Sequence, residues 1–246
     1  ISTATRDLRE GDGIIIRDNR AAAIVHKVKS VHEGAWCDTV CGPQMAFGSM
    51  RTNFSDDKPE PAPGDIPLVL STRVGYVPPS VIEKHMDWVN RWKVLVPMAG
   101  DGHGREVSYV LGEPIALAPG SACTQTYLVA GLFDTKTETK NYAHYLATKF
   151  VRFLILQRKT TQHVYSDRFR FVPALDMTRR WTDADLYEHF GLTKDEANYI
   201  ESTIHPREVI LSLDSPIPAS HLPGGPKYRA PGEASEVDEP VVEDDG

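Results

Sequence analysis

The side chains that could do chemistry fall into a few short groups, and most of those groups are incomplete. Cys37 and Cys41 stand four apart with His26 and His32 upstream, which is half of a zinc site. Structural zinc takes four ligands in paired spacings. No second pair follows, so buried or idle thiols are the reading that remains. Gly100-Asp-Gly-His-Gly104 is glycine-rich, but it opens no helix and lacks the Lys-Ser/Thr of a phosphate-binding loop, so it reads as a hairpin. Asp134-Thr-Lys136 and Glu138-Thr-Lys140 match the acidic-x-Lys half of a nuclease motif. Both fall at a helix start, where acids cap and lysines face water. No Ser/His/Asp or Cys/His set is evident, although such sets are assembled in space.

One group has the chemistry of binding. Thr160, Thr161, Gln162, His163, Ser166 and Asp167 are short donors and acceptors that follow Arg158 and Lys159. That composition suits a loop that reads a polyanion. The element that must position it is upstream. Tyr142, Leu146, Phe150, Phe153, Leu154 and Gln157 recur at three- and four-residue steps, which predicts one long amphipathic helix. Lys140, Lys149, Arg152, Arg158 and Lys159 occupy its other positions and its end. The plain alternative is a solvated helix face.

A chain of 246 residues with 41% hydrophobic and 25% charged content is composed as a globular protein of one large or two small domains. No apolar run approaches the roughly 20 residues that span a bilayer. The first residues lack a signal-peptide pattern and an initiator Met, so the expectation is a trimmed chain or the back part of a longer polypeptide. Three cysteines without framework spacing point to a reducing, cytoplasmic setting. The net charge of −7 hides a segregation: residues 136–182 hold 10 Lys and Arg against 3 acids, whereas residues 183–246 hold 4 against 15. A phosphate-binding face depends on that distribution and not on the mean.

Along the chain, Ile14 to Ile16 reads as a short strand, and Asp18 or Asn19 can cap a helix with the stripe Ala21, Ile24, Val25, Val28 and Val31. Strands are expected at Ile66 to Ser71, Arg73 to Val77, Trp92 to Pro97, Val107 to Val110, Glu113 to Ala118, Cys123 to Phe133 and Phe169 to Val172. Ser80 with Glu83 predicts a helix to about Asn90. Thr182 with Asp185 and Thr193 with Glu196 predict two short helices split at Gly191, packed through Trp181, Leu186, Tyr187, Phe190, Leu192, Tyr199 and Ile200. The fold class is therefore mixed α/β: a mixed sheet against one long amphipathic helix, with a small C-terminal helical pair. One domain is expected over residues 1–213. Six prolines and an acidic end make residues 214–246 read as a tail with nothing to bury.

Tyr76-Val-Pro-Pro-Ser80 contains the two prolines of an amino-methyltransferase tetrapeptide, but Val77 and Ser80 stand where a hydrogen-bonding residue and an aromatic are needed. A glycine-rich loop for S-adenosylmethionine is also missing. Five other stretches carry a resemblance: FGSMRTNF (47–54), VGYVPPSVI with DWVNRWKVLVPMAG (74–82, 87–100), CTQTYLVAGLFDT (123–135), YLATKFVRFLILQRKTTQHVYSDRFRFVPALD (145–176) and WTDADLYEHFGLTKDEANYIESTI (181–204). In this order they resemble the C-terminal specificity region of Eco57I-like restriction-modification adenine methyltransferases.

The resemblance implies a target-recognition domain that docks its parent enzyme on double-stranded DNA as part of bacterial defence. Catalysis and S-adenosylmethionine would belong to the parent's catalytic domain, with no catalytic residue, cofactor or metal in this chain. Arg51, Thr52 and Asn53 in the first motif, and Arg158, Lys159, Thr161, Gln162, His163 and Arg168 in the second, would contact DNA. Lys149 and Arg152 would serve phosphates or the partner domain. An ion pair stitching loops to the sheet is the alternative for Arg51 and Lys93. A nuclease or hydrolase with a spatially assembled site, and a protein-interaction module, are the other function classes left open.

Overall fold

The structure is a computed structural model that describes residues 14–51, 54–99, 109–159, 161, 163–214, 217 and 222. Its strands are β1 (Ile66–Val69), β2 (Val74–Val77), β3 (Trp92–Pro97), β4 (Ile115–Leu117), β5 (Ala122–Cys123), β6 (Tyr127–Phe133) and β7 (Ile210–Ser212). Its α-helices are α1 (Asn19–Val31), α2 (Met86–Val89), α3 (Lys136–Ala147), α4 (Lys149–Leu156), α5 (Asp183–His189) and α6 (Lys194–Thr203). This is the mixed α/β class expected from the sequence.

The central element is β3, whose WKVLVP run is buried on both faces from Lys93 onward because both faces are covered. It pairs antiparallel with β6 and β4, and β4 pairs parallel with β7, giving the order β6-β3-β4-β7. Val94 and Val96 face a core shared with the helices. Leu95 faces a second core shared with a smaller sheet of order β2-β1-β5. The molecule is thus layered as helices, four-stranded sheet and three-stranded sheet. A register shift between Val94 and Leu95 leaves Ala130 out of the β3–β6 pairing. Its carbonyl accepts from Tyr142 Oη at 3.0 Å and Cys41 Sγ at 3.5 Å, which ties α3 and the cysteine loop to the strand.

The first helix forms as read. Asp18 accepts from the Arg20 and Ala21 amides, and Ala21, Ile24, Val25 and Val28 are buried. Val31, the last residue of the expected stripe, is exposed. Both capping boxes of α5 and α6 are present, and Gly191 at φ 61° supplies the left-handed residue between them. The pair packs inward, with Phe190 stacked on Phe150 at 5.2 Å and Tyr199 edge-on to Phe153 at 5.6 Å.

The single long helix does not form. Thr148 is extended (φ −60°, ψ 149°) and divides it into α3 and α4. A break exposes amides that an α-helix cannot satisfy internally, and here they are capped twice. Thr148 Oγ1 accepts from Val151 N at 3.3 Å, while Asp183 accepts from Lys149 N at 3.1 Å and Phe150 N at 2.8 Å. Burial pushes the Asp183 carboxyl pKa up, against the lowering effect of those amides.

Other expectations are corrected. Ile14 to Ile16 is not a strand, and Phe169 to Val172 lies in 3₁₀ turns over Ser166–Phe171 with Phe169 and Phe171 buried. Glu83 caps no helix; it accepts from Ser49 Oγ at 2.6 Å and Ser49 N at 3.2 Å, and only a short 3₁₀ turn (Pro79–Val81) and α2 form there. The expected strand at Val107 to Val110 lies partly outside the described residues, and Tyr109 and Val110 are not in a strand. Beyond β7, which the sequence reading did not anticipate, Ile217 and Leu222 are buried in the inter-sheet core. The segment after 214 therefore does contribute apolar side chains.

Candidate functional site

The two stretches read as contact loops are far apart in sequence, and backbone hydrogen bonds bring them to one end of the four-stranded sheet. Gln125 N donates to Met50 O at 3.0 Å, Met98 N to Thr126 O at 2.8 Å, and Val164 N to Met98 O at 2.8 Å; Ala99 and His163 form an antiparallel bridge. Three such steps at a strand spacing near 4.8 Å separate Met50 from Val164 by about 14 Å.

Arg51, Thr161 and His163 are exposed on this edge. The His163 ring lies parallel to Tyr165, with centroids 5.9 Å apart. Arg168 is held by Asp167, Nη1 to Oδ2 at 3.0 Å, with its side chain 14% exposed. Its buried Nε finds no acceptor among the described residues. Thr52, Asn53 and Gln162 lie outside the described residues.

The remaining cations are engaged by the protein itself, and for them the reading as DNA contacts (Arg158, Lys159) or as phosphate or partner-domain contacts (Lys149, Arg152) needs correction. Arg152 is completely buried and donates to Ala147 O at 3.0 Å and Tyr109 O at 3.1 Å. Lys159 is 6% exposed and donates to Val110 O at 2.7 Å. Arg158, 8% exposed, donates from Nε to Asp167 O at 2.9 Å and lies over the Phe171 ring. Lys149 pairs with Glu201 on α6 at 2.5 Å, and Tyr187 Oη donates to the same carboxylate. Charged groups are costly to bury without partners, so these four act as framework.

Arg207, which the sequence reading did not single out, completes this framework. It donates from Nε and Nη2 to Leu111 O at 2.9 and 2.7 Å. Three consecutive carbonyls, at Tyr109, Val110 and Leu111, thus each accept from a cationic side chain. They need the support, because Val110 is left-handed at φ 66° and Leu111 N closes a tight turn onto Tyr109 O at 2.7 Å. Such a turn is strained for a β-branched residue. Arg207 also lies 4.4 Å from the Tyr109 ring, which stacks on His205. No spacing signal could have revealed Arg207, since its acceptor is 96 residues away.

The other chemical groups are sequestered. Cys37 donates to Pro173 O, and burial pushes its thiol up to about 12. Cys41 is raised well above its ordinary value and Cys123 to about 12, again chiefly by burial. Neutral thiols of this kind are poor nucleophiles and poor metal ligands. Among the described residues no group of three or more His, Cys, Asp and Glu could hold a metal ion.

Val77, in the methyltransferase-like tetrapeptide, is fully buried on β2 opposite Ile66 and faces the inter-sheet core. Lys93 is buried in the same layer with Nζ on Val89 O at 3.2 Å, and among the described residues no carboxylate pairs with it. No helix among the described residues is long and apolar enough to cross a membrane. Comparison with protein-family models, curated proteins and solved structures finds no match.

Proposed function

We propose that this chain is the target-recognition module of an adenine-specific DNA methyltransferase of the Eco57I-like restriction-modification type, acting in the cytoplasm on double-stranded DNA. The observation that carries the reading is the convergence of the 47–54 and 158–168 stretches at one end of the sheet through Gln125, Thr126 and Met98. Sequence readout needs several polar side chains on one rigid edge, and a span of about 14 Å is comparable with the major groove, about 12 Å wide.

In this reading Arg51 offers paired donors to guanine, Gln162 reads adenine, Thr52, Asn53, Thr161 and His163 complete the contact, and Arg168, paired with Asp167, stands at its border. Lys149, Arg152, Arg158 and Lys159 hold the loops in place from behind. The methyl-transfer chemistry belongs to a catalytic domain of the parent protein. The buried thiols and the packed, acidic α5–α6 pair favour recognition over a thiol-dependent hydrolase or a groove-reading helix-turn-helix.

The test is fluorescence anisotropy of the chain on duplex DNA at several salt concentrations. Arg51→Ala and His163→Ala should weaken binding on preferred duplexes by roughly 1–3 kcal/mol each. Lys149→Ala should leave the slope of log affinity against log salt unchanged, because its ammonium is already paired with Glu201. Equal, salt-independent weak binding by all of these proteins would contradict the reading.

A further inference from the structure

The outward side of α3 carries Lys136, Lys140 and His144 at four-residue steps, which places them in one row. Lys136 and Lys140 are exposed and His144 is half-buried. Arg180, just before α5, bears on the same row. The His144 imidazolium is disfavoured first by burial, then by Arg180, then by Lys140. Arg179 beside it lies 4.1 Å from the Trp181 ring and 3.5 Å from Asp185. Among the described residues no carboxylate pairs with Lys140 or Arg180. Like charges gathered this way repel one another, and a polyanion laid across them relieves the repulsion.

We propose that this face of α3 docks the acidic segment 233–245 of the same chain. The segment has the complementary charge: seven carboxylates and no Lys or Arg. The chain also leaves β7 beside the face, where Asp214 pairs with Lys136 at 2.5 Å. The 24 residues that follow Leu222 reach up to about 80 Å when extended. The segment can therefore return to α3 although Leu222 is buried on the far side of the sheet. Closing a loop of this length has a cost that grows only slowly with its length, and several carboxylates acting together on clustered cations gain more than isolated surface pairs. The inference does not rest on the DNA reading, since it concerns a different face.

The experiment uses the full chain and a variant in which the seven acids become amides (Glu233→Gln, Glu236→Gln, Asp238→Asn, Glu239→Gln, Glu243→Gln, Asp244→Asn, Asp245→Asn). NMR follows the His144 ring titration and the amide shifts of Lys140, Ala143, His144 and Arg180. The docked carboxylates raise the His144 pKa, so the neutralised variant should titrate lower by about half a unit at low salt, with the difference vanishing at high salt. In a Lys140→Gln, Arg180→Gln background the amide-shift difference between acidic and neutralised chains should collapse. Identical His144 titration and identical amide shifts in the two proteins would overturn the proposal. So would shifts confined to another face. If added duplex DNA moves Lys140 and Arg180 while neutralising the acids does not, the face takes phosphates and the proposal fails.

Discussion

Replacing Lys93 should stabilise this fold, although the residue is among the most buried in the molecule. Its side chain enters the core between the sheets and places Nζ on Val89 O, a carbonyl that also accepts from Gly120 N at 2.7 Å. Burial pulls the ammonium pKa down from 10.5 to about 8, while the neighbouring Cys123 acts weakly in the other direction. Between those two values the unfolded chain binds more protons than the folded one, so the unfolding free energy rises with pH through the window and carries the full penalty below it. A difference of about 2.5 units corresponds to about 3 kcal/mol at pH 7. Lys93→Met keeps the apolar stem and removes the charge; about 1 kcal/mol is returned for the lost hydrogen bond. The net gain is about 2 kcal/mol, or roughly 4–8 °C in Tm for a chain of this size. Urea unfolding of both proteins from pH 6.5 to 9 measures it. Staying below pH 9 avoids the buried thiols, whose raised pKa values act with the opposite sign. The expected difference is largest at pH 7 and shrinks above pH 8. A variant less stable at pH 7, or a difference flat with pH, would mean that the buried charge does not destabilise the fold.

The remaining expectations concern the framework. Arg152→Ala should cost about 3 kcal/mol by stranding the Ala147 and Tyr109 carbonyls, measured by denaturant unfolding. Asp183→Ala should cost about 2 kcal/mol and speed hydrogen exchange at the Lys149 and Phe150 amides while sparing α6. Leu222→Ala should cost about 2–4 kcal/mol, because that side chain is fully buried in the inter-sheet core; an unchanged Tm would return residues beyond 214 to a dispensable tail.

Much of the fold is legible in the residue pattern because it is set locally. Caps at Asp18, Thr182 and Thr193, the apolar run of β3 and the stripe of α1 each involve neighbours a few residues apart. What was hidden depends on distant partners. Leu146 to Phe150 keeps a helical step straight across the break at Thr148, and the acid that caps the new end is Asp183, 33 residues beyond Phe150. Phe169 and Phe171 alternate with Arg168 and Arg170 as a strand would, yet the same alternation also serves a 3₁₀ turn with two inward rings. Surplus Lys and Arg around α4 look like an outward basic face. Their acceptors are backbone carbonyls at Tyr109, Val110 and Asp167, and a carbonyl leaves no mark in the sequence. The three-residue strand β7 is too short for periodicity to distinguish.

The edge carrying Arg51, Thr161 and His163 is proposed to read duplex sequence. Selection from a pool of random duplexes by the chain, repeated with Arg51→Ala, tests it most directly. One enriched motif of a few base pairs is expected, with preference relaxed at a single position in the variant and kept elsewhere. A pool that stays random, or a motif that Arg51→Ala and His163→Ala both leave unchanged, would contradict it.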